Sequence, residues 1–154
     1  MTSVERYKQY LKELCKDKKN VLEIGVEKGV STLVFLESGC NLTSIDIDKP
    51  AFYTGYAWDF HQEDASSFLK RLGWKQQFDL IYLDAHYTKE RLEQDVFLCE
   101  RLLRKGGQLV FNEYCDFAGH RKGEVSDFVK KWAFENSLRY EVWPNRNGFA
   151  VFTK

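Results

Sequence analysis

Two rhythms of apolar residues alternate along this chain. Short runs that read as strands are Val21, Leu22 and Ile24; Leu42 to Ile47; Phe78 to Asp84; Gln108 to Phe111; Arg139 to Trp143; and Phe149 to Phe152. His61 to Asp64 reads as the end of a further strand, passing into a helix that begins at Ala65, Ser66 and Ser67. Between them lie stretches with helical spacing. Val4, Tyr7, Leu11 and Leu14 share one face of Ser3 to Lys16, with Ser3 placed to cap it and Lys16 to Lys19 suiting its C-terminal end. Ser31, Thr32 and the run Leu33 to Leu36 open a second helix, with Gly39 as its C-cap. Thr88 to Leu103 is a charged amphipathic helix stopped by Lys105-Gly106-Gly107, and Lys122 to Glu135 carries Val125, Phe128, Val129 and Trp132 on one face. Pro144 to Gly148 is a turn-forming PNRNG. Pro50 to Phe60 has no clean period, so the helix a regular unit would place there is short or replaced by a loop. Its aromatic residues read as core or as a wall for a planar ligand, with core the better reading.

Strands alternating with helices and closing on a hairpin imply a doubly wound, Rossmann-like α/β fold. The expected sheet has seven strands, mostly parallel with an antiparallel C-terminal hairpin strand. Residues 1–154 form one domain at this length, and little precedes the first helix that could act as an N-terminal cap over a ligand. In such sheets the ligand lies beyond the carboxyl ends of the strands. Glu23, Asp46, Asp64, Asp84 and Glu113 all stand at strand ends and would face one crevice.

Composition narrows the ligand. Lys and Arg number 23 against 23 Asp and Glu, a balance that gives no electrostatic footprint for nucleic acid or an anionic membrane. Cys15, Cys40, Cys99 and Cys115 are widely spaced with no C-x-x-C pair, which argues against zinc and a disulfide framework and fits a reducing cytoplasm. The N-terminus has no apolar signal region, and no stretch is long enough to span a bilayer.

The chemistry concentrates first in Asn20 to Ser31, NVLEIGVEKGVS, a strand running into a glycine turn and a helix start. Backbone N–H groups at such a helix start, with glycines admitting close approach, make a binding crevice. A dinucleotide fold wants G-x-G-x-x-G, but here Gly25 and Gly29 flank Glu27, and Glu23 and Glu27 suit a cationic or zwitterionic ligand better than a pyrophosphate. Asp46, about 20 residues past the first glycine turn, is positioned to accept two ribose hydroxyls, a reading preferred over a solvated turn acid. Asp64 could accept an adenine amino group while the Ala65 N–H serves a ring nitrogen; capping of the following helix by Asp64 explains it equally well.

Together, VLEIGVEKGVST, SIDID, EDASSFL, FDLIYLDAH and LLRKGGQLVF resemble, in order, the motifs of small-molecule O-methyltransferases of the class I S-adenosylmethionine (SAM) fold. NEYCDFAGHRKGEVSDF is similar to a stretch of the macrocin and mycinamicin sugar O-methyltransferases, with catechol O-methyltransferase a more distant relative. The resemblance implies that Glu23, Gly25 and Gly29 line the methionine and ribose of SAM, and that Ser31 donates to its carboxylate. It also implies that Asp46 holds the ribose diol and that Asp64 and Ala65 sit by the adenine. A divalent metal, usually magnesium, would be held by Asp84, Asn112 and Glu113, oxygen ligands of the right kind. Asn112 stands where the sugar enzymes carry aspartate, and Glu113 is a methylene longer than its counterpart. Tyr87 replaces the lysine base of the catechol-like enzymes, leaving His86 as the nearest candidate base; a histidine there also serves to cap the next helix.

The expectation is therefore a cytoplasmic SAM-dependent methyltransferase. It would transfer a methyl group in line to the hydroxyl of a small molecule such as a sugar, with Asp84 and His86 catalytic and magnesium assisting. A neighbouring subunit of a homo-oligomer would cover the acceptor site. The rival expectations are a non-catalytic SAM-binding module in an assembly and a methyltransferase acting on a protein or other macromolecule.

Overall fold

The computed structural model describes residues 1–75, 77–85, 88–115, 123–144 and 148–154. In chain order the elements are α1 (Ser3–Cys15), β1 (Asn20–Ile24), α2 (Val30–Glu37), β2 (Asn41–Asp46), β3 (Asp59–Gln62) and α3 (Ala65–Leu72). They continue with β4 (Phe78–Leu83), α4 (Lys89–Leu102), β5 (Leu103–Phe111), α5 (Glu124–Glu135), β6 (Tyr140–Trp143) and β7 (Phe149–Thr153). The seven strands form one sheet in the order β3-β2-β1-β4-β5-β7-β6. β1 to β5 pair in parallel, and β7 runs antiparallel to both β5 and β6. The expected seven-stranded, mostly parallel, doubly wound sheet is the one observed.

Because the sheet is covered on both faces, its strands are apolar at successive positions rather than at alternate ones. Val21, Leu80, Tyr82, Val110, Phe149 and Val151 pack on one face with Leu11 and Leu14 of α1 and Val34 and Phe35 of α2. Leu22, Ile24, Ile81, Leu83, Leu109, Phe111 and Phe152 pack on the other with α3, α4 and α5, through Phe68, Leu92, Val96, Phe128 and Trp132. A one-residue register slip would exchange the two sets, so the burial pattern itself fixes the strand registers.

Several boundaries differ from the sequence reading. Thr2, not Ser3, caps α1: its hydroxyl accepts the Glu5 N–H at 3.1 Å and the Glu5 carboxylate accepts the Thr2 N–H at 2.6 Å. This reciprocal pair satisfies two backbone donors that a helix start otherwise leaves open. Lys105-Gly106-Gly107 does not stop α4. The helix ends at Leu102, β5 begins at once with Leu103 opposite Phe78, and the ladder then jumps to Leu80 opposite Gln108. Gly106, at φ +79°, lies in that irregularity. Between β2 and β3 there is a loop and no helix.

The strand order reverses direction between β1 and β4, the first parallel neighbours that are far apart in sequence. At such a switch point the connecting segments leave on opposite sides of the sheet and open a crevice above the strand ends.

Candidate functional site

The crevice floor is the turn from Gly25 to Gly29. Gly25 donates its N–H to Ile45 O at 2.9 Å, continuing the ladder to β2, and adopts φ +94°. A β carbon there would lie 2.0 Å from the carbonyl oxygen of Asp84, so only glycine lets β1 and β4 end side by side. Gly29 caps α2 at φ +73°, and a β carbon on it would run into the ring of Phe52 at 2.2 Å. Phe52 in turn stacks on Trp58, ring centroids 5.5 Å apart. The aromatic residues of the β2–β3 loop thus divide: Phe52 lies on the glycine turn, Trp58 packs against the core, and Tyr53 and Tyr56 are exposed.

Glu23 sits behind this turn. It is fully buried and its carboxylate accepts three hydroxyls, from Ser31 at 2.5 Å, Thr32 at 2.8 Å and Ser44 at 2.7 Å. Ser44 also accepts the indole N–H of Trp58 at 3.0 Å. Burial pushes the Glu23 carboxyl up to about 7 against the opposing pull of those hydroxyls. Glu23 thus ties β1, β2 and α2 together from below. Ser31 gives its hydroxyl proton to Glu23 at this position, and the backbone N–H groups at the start of α2 are further donors for an anionic group.

Asp46, at the end of β2, reaches across to the same turn. One of its oxygens, Oδ2, accepts the Val26 N–H at 2.7 Å and the Glu27 N–H at 3.2 Å, and Oδ1 accepts the Asp48 N–H at 3.0 Å. The carboxylate therefore holds the loop in place and faces the crevice rim together with it. Asp64 caps α3 through the Ser67 N–H at 3.0 Å and is ion-paired to Arg91 of α4. The Arg91 guanidinium beside it holds its carboxyl below the usual range. The capping account of Asp64 is thus realised, and Ala65 is the first residue of the helix it caps.

At the end of β4, Asp84 lies beside Asn112 at the end of β5. Both are fixed by the main chain, Asp84 N–H to Ile24 O at 2.8 Å and Asn112 N–H to Leu83 O at 3.0 Å. The Asn112 amide nitrogen donates to Asp84 Oδ1 at 2.8 Å. Asn112 Oδ1 is buried with no partner among the described residues. A magnesium ion needs oxygens converging on it, whereas here a hydrogen-bond donor fills the second ligand position. Glu113 follows at φ +58°. No group of three His, Cys, Asp or Glu side chains among the described residues is placed to hold a metal ion. The expected metal set of Asp84, Asn112 and Glu113 is thus not shown: as placed, Asn112 turns a donor rather than an oxygen toward Asp84. His86, the candidate base, lies outside the described residues, as does Tyr87.

The sequence pattern gave no sign of one pair. Tyr7 of α1 meets Tyr82 of β4 with their hydroxyls 2.7 Å apart, next to the charges of Asp84 and Glu23. Burial, reinforced by Asp84, holds both phenols well above their ordinary range. Tyr7 reads in sequence only as one more apolar position of a helix face. A depression of about 600 Å³ lies elsewhere, between the end of α1 and Lys18 and Lys19, which precede β1. It is an open groove of mixed charge at the amino ends of the strands and contains none of the residues described above.

With this geometry in view, comparisons with known proteins place the chain. No curated protein matches it. Among solved structures it is similar to a protein from Klebsiella pneumoniae assigned as an O-methyltransferase, with 20% identity and a TM-score of 0.78 over 96% of this chain and 80% of that one. It is also similar to the O-methyltransferase of Bacillus cereus in complex with S-adenosylhomocysteine (17% identity, TM-score 0.69, 96% and 80% covered). A third is the S-adenosylhomocysteine-bound methyltransferase of Podospora anserina (16% identity, TM-score 0.73, 96% and 78% covered). These likenesses establish the fold. A family model for a methyltransferase domain matches residues 22–114, from the strand behind the glycine turn to the end of β5. The chain therefore belongs to the methyltransferase-domain family.

Proposed function

We propose that this chain is a SAM-dependent O-methyltransferase acting on the hydroxyl of a small molecule, with sugars one class of acceptor. The observation that carries the reading is the gathering of the Gly25–Gly29 turn, Asp46 and Asp84 at adjacent carboxyl ends of β2, β1 and β4. A zwitterionic nucleoside such as SAM matches that set. Its methionine carboxylate would meet the N–H groups opening α2, and its ribose diol the Asp46 carboxylate. Its adenine would lie toward Asp64 and Ala65. The balanced charge of the chain supports a small acceptor over a nucleic acid. No helix among the described residues is long and apolar enough to cross a membrane; location in the cytoplasm, and a second copy covering the acceptor side of the crevice, are parts of the same proposal.

Methyl transfer from a sulfonium to an oxygen is an in-line displacement, and holding oxygen, carbon and sulfur in line supplies most of the acceleration. In this reading the acceptor hydroxyl hydrogen-bonds to Asp84. His86, two residues further along the chain, receives the proton as the oxygen–carbon bond forms and the carbon–sulfur bond breaks. S-adenosylhomocysteine then leaves as a neutral thioether.

The test has two stages. Calorimetry with SAM and with S-adenosylhomocysteine should show one site per chain; binding of neither would overturn the reading. A screen for acceptor-dependent release of S-adenosylhomocysteine over hydroxylated small molecules should then give turnover. Binding without turnover on any acceptor, macromolecules included, would favour a second reading, a SAM-binding module without catalysis. The Asn112–Asp84 hydrogen bond supports that second reading in one respect, since it engages an oxygen that an acceptor would otherwise approach.

A further inference from the structure

The contact between Asn112 and Asp84 differs from a metal site in polarity, not in spacing. Neighbouring oxygen ligands of an octahedral magnesium, each about 2.1 Å from the ion, lie roughly 3 Å apart. Asp84 Oδ1 and the Asn112 amide nitrogen are 2.8 Å apart, fixed to adjacent strands by the main-chain bonds of β4 and β5. The same two residues that would share a cation share a proton instead.

The orientation of the amide follows from its surroundings. Asn112 is 6% exposed, and beside it lies a cavity of about 10 Å³ lined, among the described residues, by Leu83, Ala85, Leu92, Phe111 and Val125 with Asp84. Turned the other way, the amide would put its oxygen against the Asp84 carboxylate and drive two N–H donors into that apolar wall. Repulsion between the oxygens and two orphaned donors cost more than the single unpartnered oxygen of the observed arrangement. The amide donor is therefore selected by the carboxylate it faces.

We infer that Asn112 takes the place of the divalent cation, so that the centre at Asp84 is metal-independent, with Asn112 as the positioning residue that orients the carboxylate. The inference rests on the proposed methyl-transfer reading for its purpose, but not for its test. A neutral amide fixes Asp84 through one carboxylate oxygen without bringing a positive charge beside it. A bound cation would instead draw an acceptor oxygen directly to itself. Replacing the amide by a carboxylate reverses the logic: two carboxylates 2.8 Å apart need a cation or a shared proton between them.

The probe is Mn2+, followed by electron paramagnetic resonance of the free ion, with the full chain and saturating S-adenosylhomocysteine. Wild type is expected to take up no Mn2+ at this centre, and Asn112→Asp to bind one ion per chain at least tenfold more tightly than wild type. Thermal unfolding of the variant should then rise with Mn2+ while that of wild type does not move. One Mn2+ per wild-type chain, lost in Asp84→Ala, would overturn the inference, as would an Asn112→Asp chain that binds no better than wild type. The wild-type titration decides the question even if the variant does not fold. Calorimetry with S-adenosylhomocysteine on the same sample separates the two ideas, since failure there sinks the methyltransferase reading and leaves the Mn2+ result standing.

Discussion

The carboxylate of Glu23 and the hydroxyl of Ser31 meet at 2.5 Å beneath the glycine turn, out of reach of solvent. An acidic residue at the end of the first strand invites the idea of a ligand contact, yet its charge is spent on the scaffold. Ser31, Thr32 and Ser44 converge on it from α2 and β2, so the turn between β1 and α2 is anchored from below while its upper side stays open to a ligand.

That burial makes stability depend on pH. The Glu23 carboxyl is raised by burial from an ordinary 4.5 to about 7. Below pH 4.5 it is protonated in both folded and unfolded chains and exacts no penalty. Between about 4.5 and 7 the unfolded chain releases the proton while the folded chain holds it, so the folded state loses ground as pH rises, by ~3 kcal/mol in all. Glu23→Gln removes the titration. The difference in unfolding free energy, variant minus wild type, is expected to rise by that order between pH 5 and pH 7.5 in urea titrations, and a constant difference would contradict the buried charge.

Gly25→Ala tests the closeness of β1 and β4. The β carbon would need the space of the Asp84 carbonyl, 2.0 Å away, at a φ of +94° that side chains disfavour. The expected loss is about 2–4 kcal/mol, from strain and from displacement of Asp84. Gly39→Ala serves as the control: its φ of +81° carries similar backbone strain, but nothing lies within 4 Å of the added carbon. It should cost roughly 1 kcal/mol, and the gap between the two in chemical denaturation measures the steric part.

Asp46→Ala removes the acceptor of the Val26 and Glu27 N–H groups. The turn should lose order, with a cost of about 1–3 kcal/mol. Affinity for S-adenosylhomocysteine, if the proposed function holds, should fall by more than tenfold in calorimetry. Asp46→Asn keeps one oxygen for the turn but places an amide nitrogen where the other carboxylate oxygen stood, so it should recover more stability than affinity. Recovery of both together would argue that Asp46 serves the loop alone.

Tyr7→Phe deletes the partner of a hydroxyl on Tyr82, which is fully buried. An unsatisfied buried hydroxyl should destabilise the chain by about 1–2 kcal/mol. Adding Tyr82→Phe removes the orphan, so the double variant should be more stable than Tyr7→Phe alone. A double variant less stable by the sum of two independent losses would show that the hydroxyls do not act as a pair.

The amino-acid sequence by itself determined the order of strands and helices, the two-faced burial of the sheet, and the strand-end positions at which chemistry collects. These follow from local rules: apolar runs that only a doubly covered sheet can bury, and glycines at the turn where β1 gives way to α2. The packing of Phe52 on Gly29, the pairing of Tyr7 with Tyr82, and the bonding of Ser31 to Glu23 were decided only by tertiary structure. Each joins residues from different elements, and the side-chain periodicity of one element does not report what another will place against it. The same holds at Asp84. Its place at the tip of β4 is legible in FDLIYLD, but whether its neighbour offers an oxygen to a metal or a proton to a carboxylate depends on which end of the Asn112 amide turns inward. Nothing along the chain encodes that choice. It is settled by the charge across a 2.8 Å gap and by the apolar wall behind it.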